Sequence, residues 1–312
     1  MISRRQLYIE ATTGPGSSWP AWHTAAWLTL PREPRRAELQ ILLHGAGYDH
    51  RYWDWPVERE RYSYVEWAGS RGLATLSIDR IGSGLSSKPP GVENTISAQA
   101  DVLRQVIAAV RNGLAGGVRF FRVVLIGHSL GSVVAGYEAA RYGDVDAVVL
   151  TGYIPVDGTD EPDDSFFETA FLPAARELPH LRGLVDDDYG VARGELRAPL
   201  MYLSSRSDPA LIELDEQMKG TSTRGELRDA GTAGMLIRRG SVPTLVQVGQ
   251  WDQLLIHPPD KDCYDVIPRW AGASPDHFTY RVVEDSAHNL NLHYNAHLAF
   301  DTMESWLGEQ TD

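Results

Sequence analysis

A chain of 312 residues, 43% hydrophobic and 23% charged, has the material for one large α/β core with an insertion or for two small domains, and fits disorder poorly. Its formal net charge of -13, with no long Lys/Arg run, excludes nucleic acid and anionic membrane surfaces as expected partners and favours a neutral or apolar small molecule. Cys263 is the one cysteine, which rules out an intrachain disulfide and a cysteine-rich metal site. The start, Met1 to Arg5, is basic but leads into Gln6, Tyr8 and Glu10 instead of an apolar signal core, and no apolar run is long enough to span a bilayer. A cytoplasmic protein without metal or cofactor is the expectation, and a homo-oligomer is compatible with it.

Leu7 to Glu10 and Ala25 to Leu30 form a weak pattern for an antiparallel hairpin at the start. The runs Leu39 to Leu43, Leu73 to Ile78, Val123 to Ile126 and Ala147 to Leu150 are short, apolar and bounded by Gly, Asp or Pro, as buried strands are. Between the second and third, Leu103, Val106, Ile107, Val110 and Leu114 recur at helical spacing behind the capping candidates Asn94 and Thr95. Strand alternating with helix predicts a mainly parallel sheet covered on both faces. From about Asp157 to Gly240 this rhythm breaks into short amphipathic pieces rich in Asp and Pro, expected to be a helical insertion over the sheet, so that 1–156 and 241–312 form the core and 157–240 the cap. Asp186-Asp187-Asp188, the densest charge run, fits a solvated turn or helix cap. Thr244 to Val248 and Phe278 to Val283 are the last strands, and Ala296, Ala299, Met303, Trp306 and Leu307 mark the inner face of a closing helix.

The chemistry concentrates in Gly127-His128-Ser129-Leu130-Gly131, a G-x-S-x-G directly after a strand and before a helix-like run. On such a turn small neighbours let the backbone pass closely and leave the serine hydroxyl exposed at a helix N-terminus, which favours developing negative charge. A serine needs a base to take its proton, and a carboxylate to hold that base. The order Ser, acid, His is met by Asp252, after the strand ending at Val248, and His288, after the strand ending at Val283. Asp157 is the rival acid and His293 the rival base, although His293 and His297 at the start of the closing helix are expected to pack or point outward. The oxyanion needs donors, for which the N–H of Leu130 and of Ala46 in His44-Gly45-Ala46-Gly47 are the candidates, with Gly47 in reserve. Gly47, Tyr153 and Met201 are candidate pocket residues, with Phe166, Phe167, Phe171 and Tyr202 as further aromatics in or beside the cap.

These segments, in this order and together with Asp79-Arg80-Ile81-Gly82-Ser83-Gly84-Leu85-Ser86, resemble the α/β-hydrolase superfamily over nearly the whole chain. The resemblance implies an eight-stranded, mostly parallel sheet with helices on both faces and a cap inserted after strand six. Serine at 129 argues against the epoxide hydrolase and haloalkane dehalogenase branches, whose nucleophile is an aspartate. More narrowly, Leu43 to Pro56, Tyr64 to Ala68 and Ser77 to Arg80 are similar to actinobacterial hydrolases that include zearalenone lactonases, which implies opening of a macrolactone ester. The expected partner is a small-molecule ester or lactone, cleaved through an acyl-enzyme. Two alternatives stay open, because fold and triad do not choose the bond: C–C cleavage or acyl transfer with the same residues, and a receptor without turnover.

Overall fold

The computed structural model describes residues 2–12, 21–34, 37–113, 117–156, 164–256, 262–272 and 275–310. The chain opens with β1 (Ile2–Thr12) and β2 (Ala21–Pro31), an antiparallel pair in continuous register that extends the expected hairpin at both ends. Next come β3 (Glu38–Leu43), the short helices α1 (Arg59–Tyr62) and α2 (Tyr64–Ser70), β4 (Ala74–Ile78) and α3 (Ile96–Arg111). Thr95 caps α3 by accepting the Ala98 N–H. The expected apolar face of α3 is buried from Leu103 to Val110, and Leu114 lies outside the described residues. Then β5 (Arg122–His128) runs into α4 (Leu130–Tyr142), and β6 (Ala147–Thr151) follows.

The inserted stretch holds α5 (Ser165–Ala170), β7 (Phe171–Pro173), α6 (Ala174–Glu177), β8 (Tyr189–Ala192), α7 (Gly194–Met201), α8 (Pro209–Met218), β9 (Ser222–Thr223) and α9 (Arg224–Arg238). The chain returns as β10 (Thr244–Gly249), α10 (Cys263–Ala271), β11 (Phe278–Val283) and α11 (Ala296–Glu309).

The eight strands outside the insertion form one sheet in the order β1-β2-β4-β3-β5-β6-β10-β11, antiparallel at β1-β2-β4 and parallel from there on. β3 to β6 and β10 are buried on both faces, so each reads as a continuous apolar run without alternation. One face packs under α3, α4 and α9 through Leu103, Val106, Val134 and Ile237. The other carries an aromatic cluster of Tyr52, Trp53, Trp55, Tyr64 and Phe300 with α11 behind it. No helix among the described residues is long and apolar enough to cross a membrane.

The inserted stretch departs from a purely helical reading in two ways. β7, β8 and β9 make a second, antiparallel sheet whose strands are too short to show a period in sequence. α9 sits in the main core, since Ala233 and Ile237 join the cluster under the large sheet and Gly136 of α4 leaves room for the Ile237 side chain. The acidic run at 186–188 is an exposed turn, as expected, and it also makes contacts: Asp186 accepts the Gly91 N–H at 3.0 Å, which ties the insertion to the core loop after β4, and Asp188 accepts from Arg224 Nε at 3.0 Å within the insertion.

Candidate active site

The parallel strands end at one rim, and the loops there carry the polar residues. At the end of β5, Ser129 adopts φ 52 and ψ -119, a strained conformation for a residue with a side chain, costing about 1–3 kcal/mol. The surrounding glycines explain how the turn is held. A Cβ at Gly127 would collide with the Gly131 carbonyl, and one at Gly131 would collide with the carbonyls of His44 and Leu43. The Ser129 N–H donates to the Thr151 carbonyl at 2.7 Å, and its side chain stays half-exposed at the start of α4.

His288 follows β11 and is only 2% exposed; its Nδ1 lies 2.8 Å from Oδ2 of the fully buried Asp252 in the loop after β10. The other Asp252 oxygen accepts the Leu254 N–H at 3.1 Å, so the loop fixes the carboxylate and the carboxylate fixes the ring. Facing a carboxylate, Nδ1 carries the proton, and Nε2 is a bare acceptor that makes no hydrogen bond. Gly152, at φ +61, sits beneath two imidazoles: a Cβ there would lie 3.0 Å from His128 Cε1 and 3.1 Å from His288 Cε1. Of the rival acids, Asp252 is the one joined to His288; Asp157 lies outside the described residues.

The neighbouring histidines are held by hydrogen bonds that fix their tautomers. Thr151 Oγ1 donates to the Gly127 carbonyl and therefore accepts from His128 Nδ1 at 3.1 Å. That ring is stacked on Tyr52 with centroids 4.2 Å apart, and burial holds its pKa well below the usual histidine value. His44 accepts the Arg80 N–H on Nε2 and donates from Nδ1 to the Gly45 carbonyl. His293, expected to pack or face solvent, is fully buried and brackets His288: Nε2 accepts the Ala287 N–H and the Leu203 N–H, both at 3.1 Å, while Nδ1 donates to the Asn289 carbonyl at 2.8 Å. Burial pushes its pKa down to about 4, which keeps Nε2 an acceptor near neutral pH. Its part was hidden in sequence because the groups it binds are spread over two loops.

The loop after β3 is held from behind. Arg80 donates to the carbonyls of His44 at 2.8 Å and Gly45 at 3.2 Å, and also pairs with Glu226 of α9 and Gln99 of α3. With its carbonyls engaged there, the loop leaves the Ala46 N–H without a hydrogen bond to any described residue, and the same holds for the Leu130 N–H at the start of α4.

A cavity of about 440 Å³ joins these pieces, and Ser129, His288, Ala46, Leu130, Tyr153 and Met201 are all on its wall. Phe166 and Phe171 also line it, whereas Phe167 stacks behind Phe171 and Tyr202 is buried in the aromatic core cluster. Asp252 stands behind His288, off the wall. Gly47, expected to line the pocket, does not: at φ +71 its carbonyl accepts the Gly220 N–H at 2.7 Å, which draws it toward the insertion. Sequence reasoning missed Arg197 and Tyr48, which line the cavity and share Asp215 as a partner.

The sequence model described as "Alpha/beta hydrolase family" matches residues 40–299. No curated protein matches the chain. Similar solved structures include a soluble variant of monoglyceride lipase from Saccharomyces cerevisiae, 14% identical with a TM-score of 0.64, covering 99% of this chain and 96% of that one. A putative aryl esterase from Burkholderia cenocepacia is 17% identical with a TM-score of 0.62 (98% and 99% covered). The 2-hydroxy-6-oxo-6-phenylhexa-2,4-dienoate hydrolase of Rhodococcus sp. strain RHA1 is 17% identical with a TM-score of 0.56 (99% of each). At these identities the structures speak for the fold, while the sequence match covers most of the chain: the protein belongs to the alpha/beta hydrolase family.

Proposed function

We propose that the protein is a serine hydrolase of carboxylic esters or lactones of bulky, mostly apolar alcohols and acids. The observation that carries this reading is the bare Nε2 of His288, its ring held through Nδ1 by Asp252, on the wall of the same cavity as the strained Ser129. In the first step Ser129 Oγ attacks the carbonyl carbon and its proton passes to Nε2, while Asp252 stabilises the imidazolium that forms. The N–H groups of Ala46 and Leu130 receive the negative charge on the carbonyl oxygen. Collapse expels the alkoxide, which takes the proton from Nε2, and leaves an acyl group on Ser129. Water then attacks that acyl group by the same route, releasing the acid. With a lactone the leaving alcohol stays attached to the acyl chain, so one open-chain hydroxy acid is the product.

The cavity supports the bulky, apolar part of the reading, since Val133, Phe166, Phe171, Leu200 and Leu255 surround the reacting groups with hydrocarbon. The resemblance around Tyr48 to Pro56 makes the macrolactone zearalenone the substrate to test. Remote apolar contacts orient a large ring before reaction, and a small ester lacks them. Purified protein is therefore expected to hydrolyse zearalenone with a kcat/KM at least tenfold above that for nitrophenyl acetate, roughly the value of one or two such contacts. Brisk turnover of nitrophenyl acetate with the macrolactone intact would overturn the substrate and leave the triad. Inertness toward both, in folded protein that binds them, would favour a receptor.

A further inference from the structure

The cavity wall is hydrocarbon apart from a few groups, and among the described residues Arg197 is the one fixed charge on it. Its side chain, from α7, is 3% exposed and is locked from three sides. Nη2 donates to Asp215 Oδ2 of α8 at 2.7 Å, and the guanidinium carbon stands 4.9 Å from the centre of the Tyr48 ring. Nε lies 3.3 Å from the half-exposed Glu216 carboxylate but outside hydrogen-bond geometry. Tyr48 completes the frame: its hydroxyl donates to the same Asp215 oxygen at 3.0 Å and accepts from Asn289 Nδ2 at 2.7 Å, which joins the frame to the residue following His288.

A guanidinium has five N–H donors, and Nη1 carries two of them. Nη1 makes no hydrogen bond with any described residue. An unpartnered donor on a rigidly held residue that lines a reaction cavity discriminates strongly between ligands that offer it an acceptor and ligands that do not. The charge around it narrows the acceptor further. Asp215 is buried with Arg197 and neutralises it, and Glu216, itself paired with Lys219, places a second carboxylate nearby. An incoming anion would be stripped of water in an apolar cavity and would face those carboxylates, whereas a neutral oxygen needs only the hydrogen bond.

We propose that Arg197 Nη1 is a substrate-recognition donor, and that the preferred ester or lactone carries a second, uncharged oxygen acceptor, a ketone or hydroxyl remote from the scissile carbonyl. The proposal rests on the ester-hydrolase reading of the same cavity and deepens it. Arg197 selects the ligand and Ser129 transforms it, so binding and turnover are separable.

Binding is read in Ser129→Ala protein by calorimetry with three nitrophenyl esters of equal chain length: one with a mid-chain ketone, one with no further oxygen, and one ending in a carboxylate. The ketone ester is expected to bind about tenfold more tightly than the oxygen-free ester, the value of one net hydrogen bond, with the carboxylate ester the weakest. Because Arg197 alone cannot be removed without stranding a buried Asp215, the matched variant is Arg197→Met combined with Asp215→Leu, which replaces the pair by hydrocarbon. There the ratio of the ketone to the oxygen-free ester should fall to about one. A single Arg197→Lys, which keeps the charge without the planar fork, should reduce the ratio to between these values. Equal binding of the two esters with Arg197 present, tightest binding of the carboxylate ester, or a ratio that survives the double variant would each overturn the proposal. A wild-type protein that shows the ratio but cleaves none of the esters would sink the hydrolase reading instead.

Discussion

The loops at the rim of the large sheet and the inserted stretch between β6 and β10 bury polar groups in opposite ways. At the rim, most groups are fixed by backbone close to them in sequence or on an adjoining strand, Ser129 by Thr151, Asp252 by Leu254, His44 by Gly45 and Arg80, and His288 in turn by the Asp252 carboxylate so fixed. In the insertion the elements are short and the buried charges are met by distant side chains, Arg197 by Asp215 and Glu226 by Arg80. A group held by local backbone cannot shift without unmaking a strand end. One held by a partner on another helix moves with that helix. On the proposed function, proton transfer falls to the rigid part and ligand selection to the insertion, the division expected where loops over a fixed scaffold carry specificity.

If the rim does the chemistry, the largest effect of a conservative change should fall there. Asp252→Asn keeps the shape but turns the ring toward the wrong tautomer, and is expected to lower kcat by on the order of 10³-fold or more, while Asp157→Asn stays within about threefold of wild type. Steady-state rates on one ester decide it, and the reverse ranking would move the acid to the loop after β6.

A smaller effect belongs where rim and insertion meet. His293 holds Ala287 and Asn289 on either side of His288, and Leu203 from the insertion. His293→Phe leaves two N–H groups and one carbonyl unmet, each worth about 1–3 kcal/mol if buried. The expected result is a lower melting temperature together with about a tenfold fall in kcat. His293→Gln, able both to accept and to donate, should recover part of each. A variant that loses stability but keeps full kcat would show that His293 serves the fold alone.

An effect on stability alone, with the rate unchanged, is expected at Glu138 of α4. Burial first, then Asp144, pushes the Glu138 carboxyl from its ordinary 4.5 up to about 9. The folded state thus holds a proton that the unfolded state releases above 4.5, so this group makes stability fall as pH rises from about 4.5 through about 9, and adds nothing further above that. Glu138→Gln removes that slope. Melting temperatures at pH 5 and pH 9 should differ less in the variant than in wild type; an unchanged difference would mean that Glu138 is ionised in the fold.

The same contrast explains what could be read in the sequence. The strands at 39–43, 123–126, 244–248 and 278–283 are unbroken apolar runs, and the candidate nucleophile, acid and base follow them at once, so the gathering of Ser129, Asp252 and His288 at one rim could be expected from their places after those strands. The two oxyanion candidates were legible for the same reason. Arg197 was not, because its role depends on Asp215 and on Tyr48, which reaches Asn289 across 241 residues, and no local period records such a pairing. The small sheet of β7, β8 and β9 was invisible because strands of two to four residues show no alternation. Gly47 was misplaced because a flexible residue beside a pocket motif reads alike whether it faces the ligand or, as here, bonds Gly220 of the insertion.

The central claim is that Ser129 is acylated during turnover, and intact-mass spectrometry of protein quenched in acid during hydrolysis of a slow nitrophenyl ester tests it most directly. The account predicts one added acyl group per chain, mapping on digestion to the peptide that holds Gly127 to Gly131, and no adduct in Ser129→Ala protein, whose turnover should be lower by on the order of 10⁴-fold. An adduct on another residue, or wild-type turnover by Ser129→Ala with its fold intact, would contradict it.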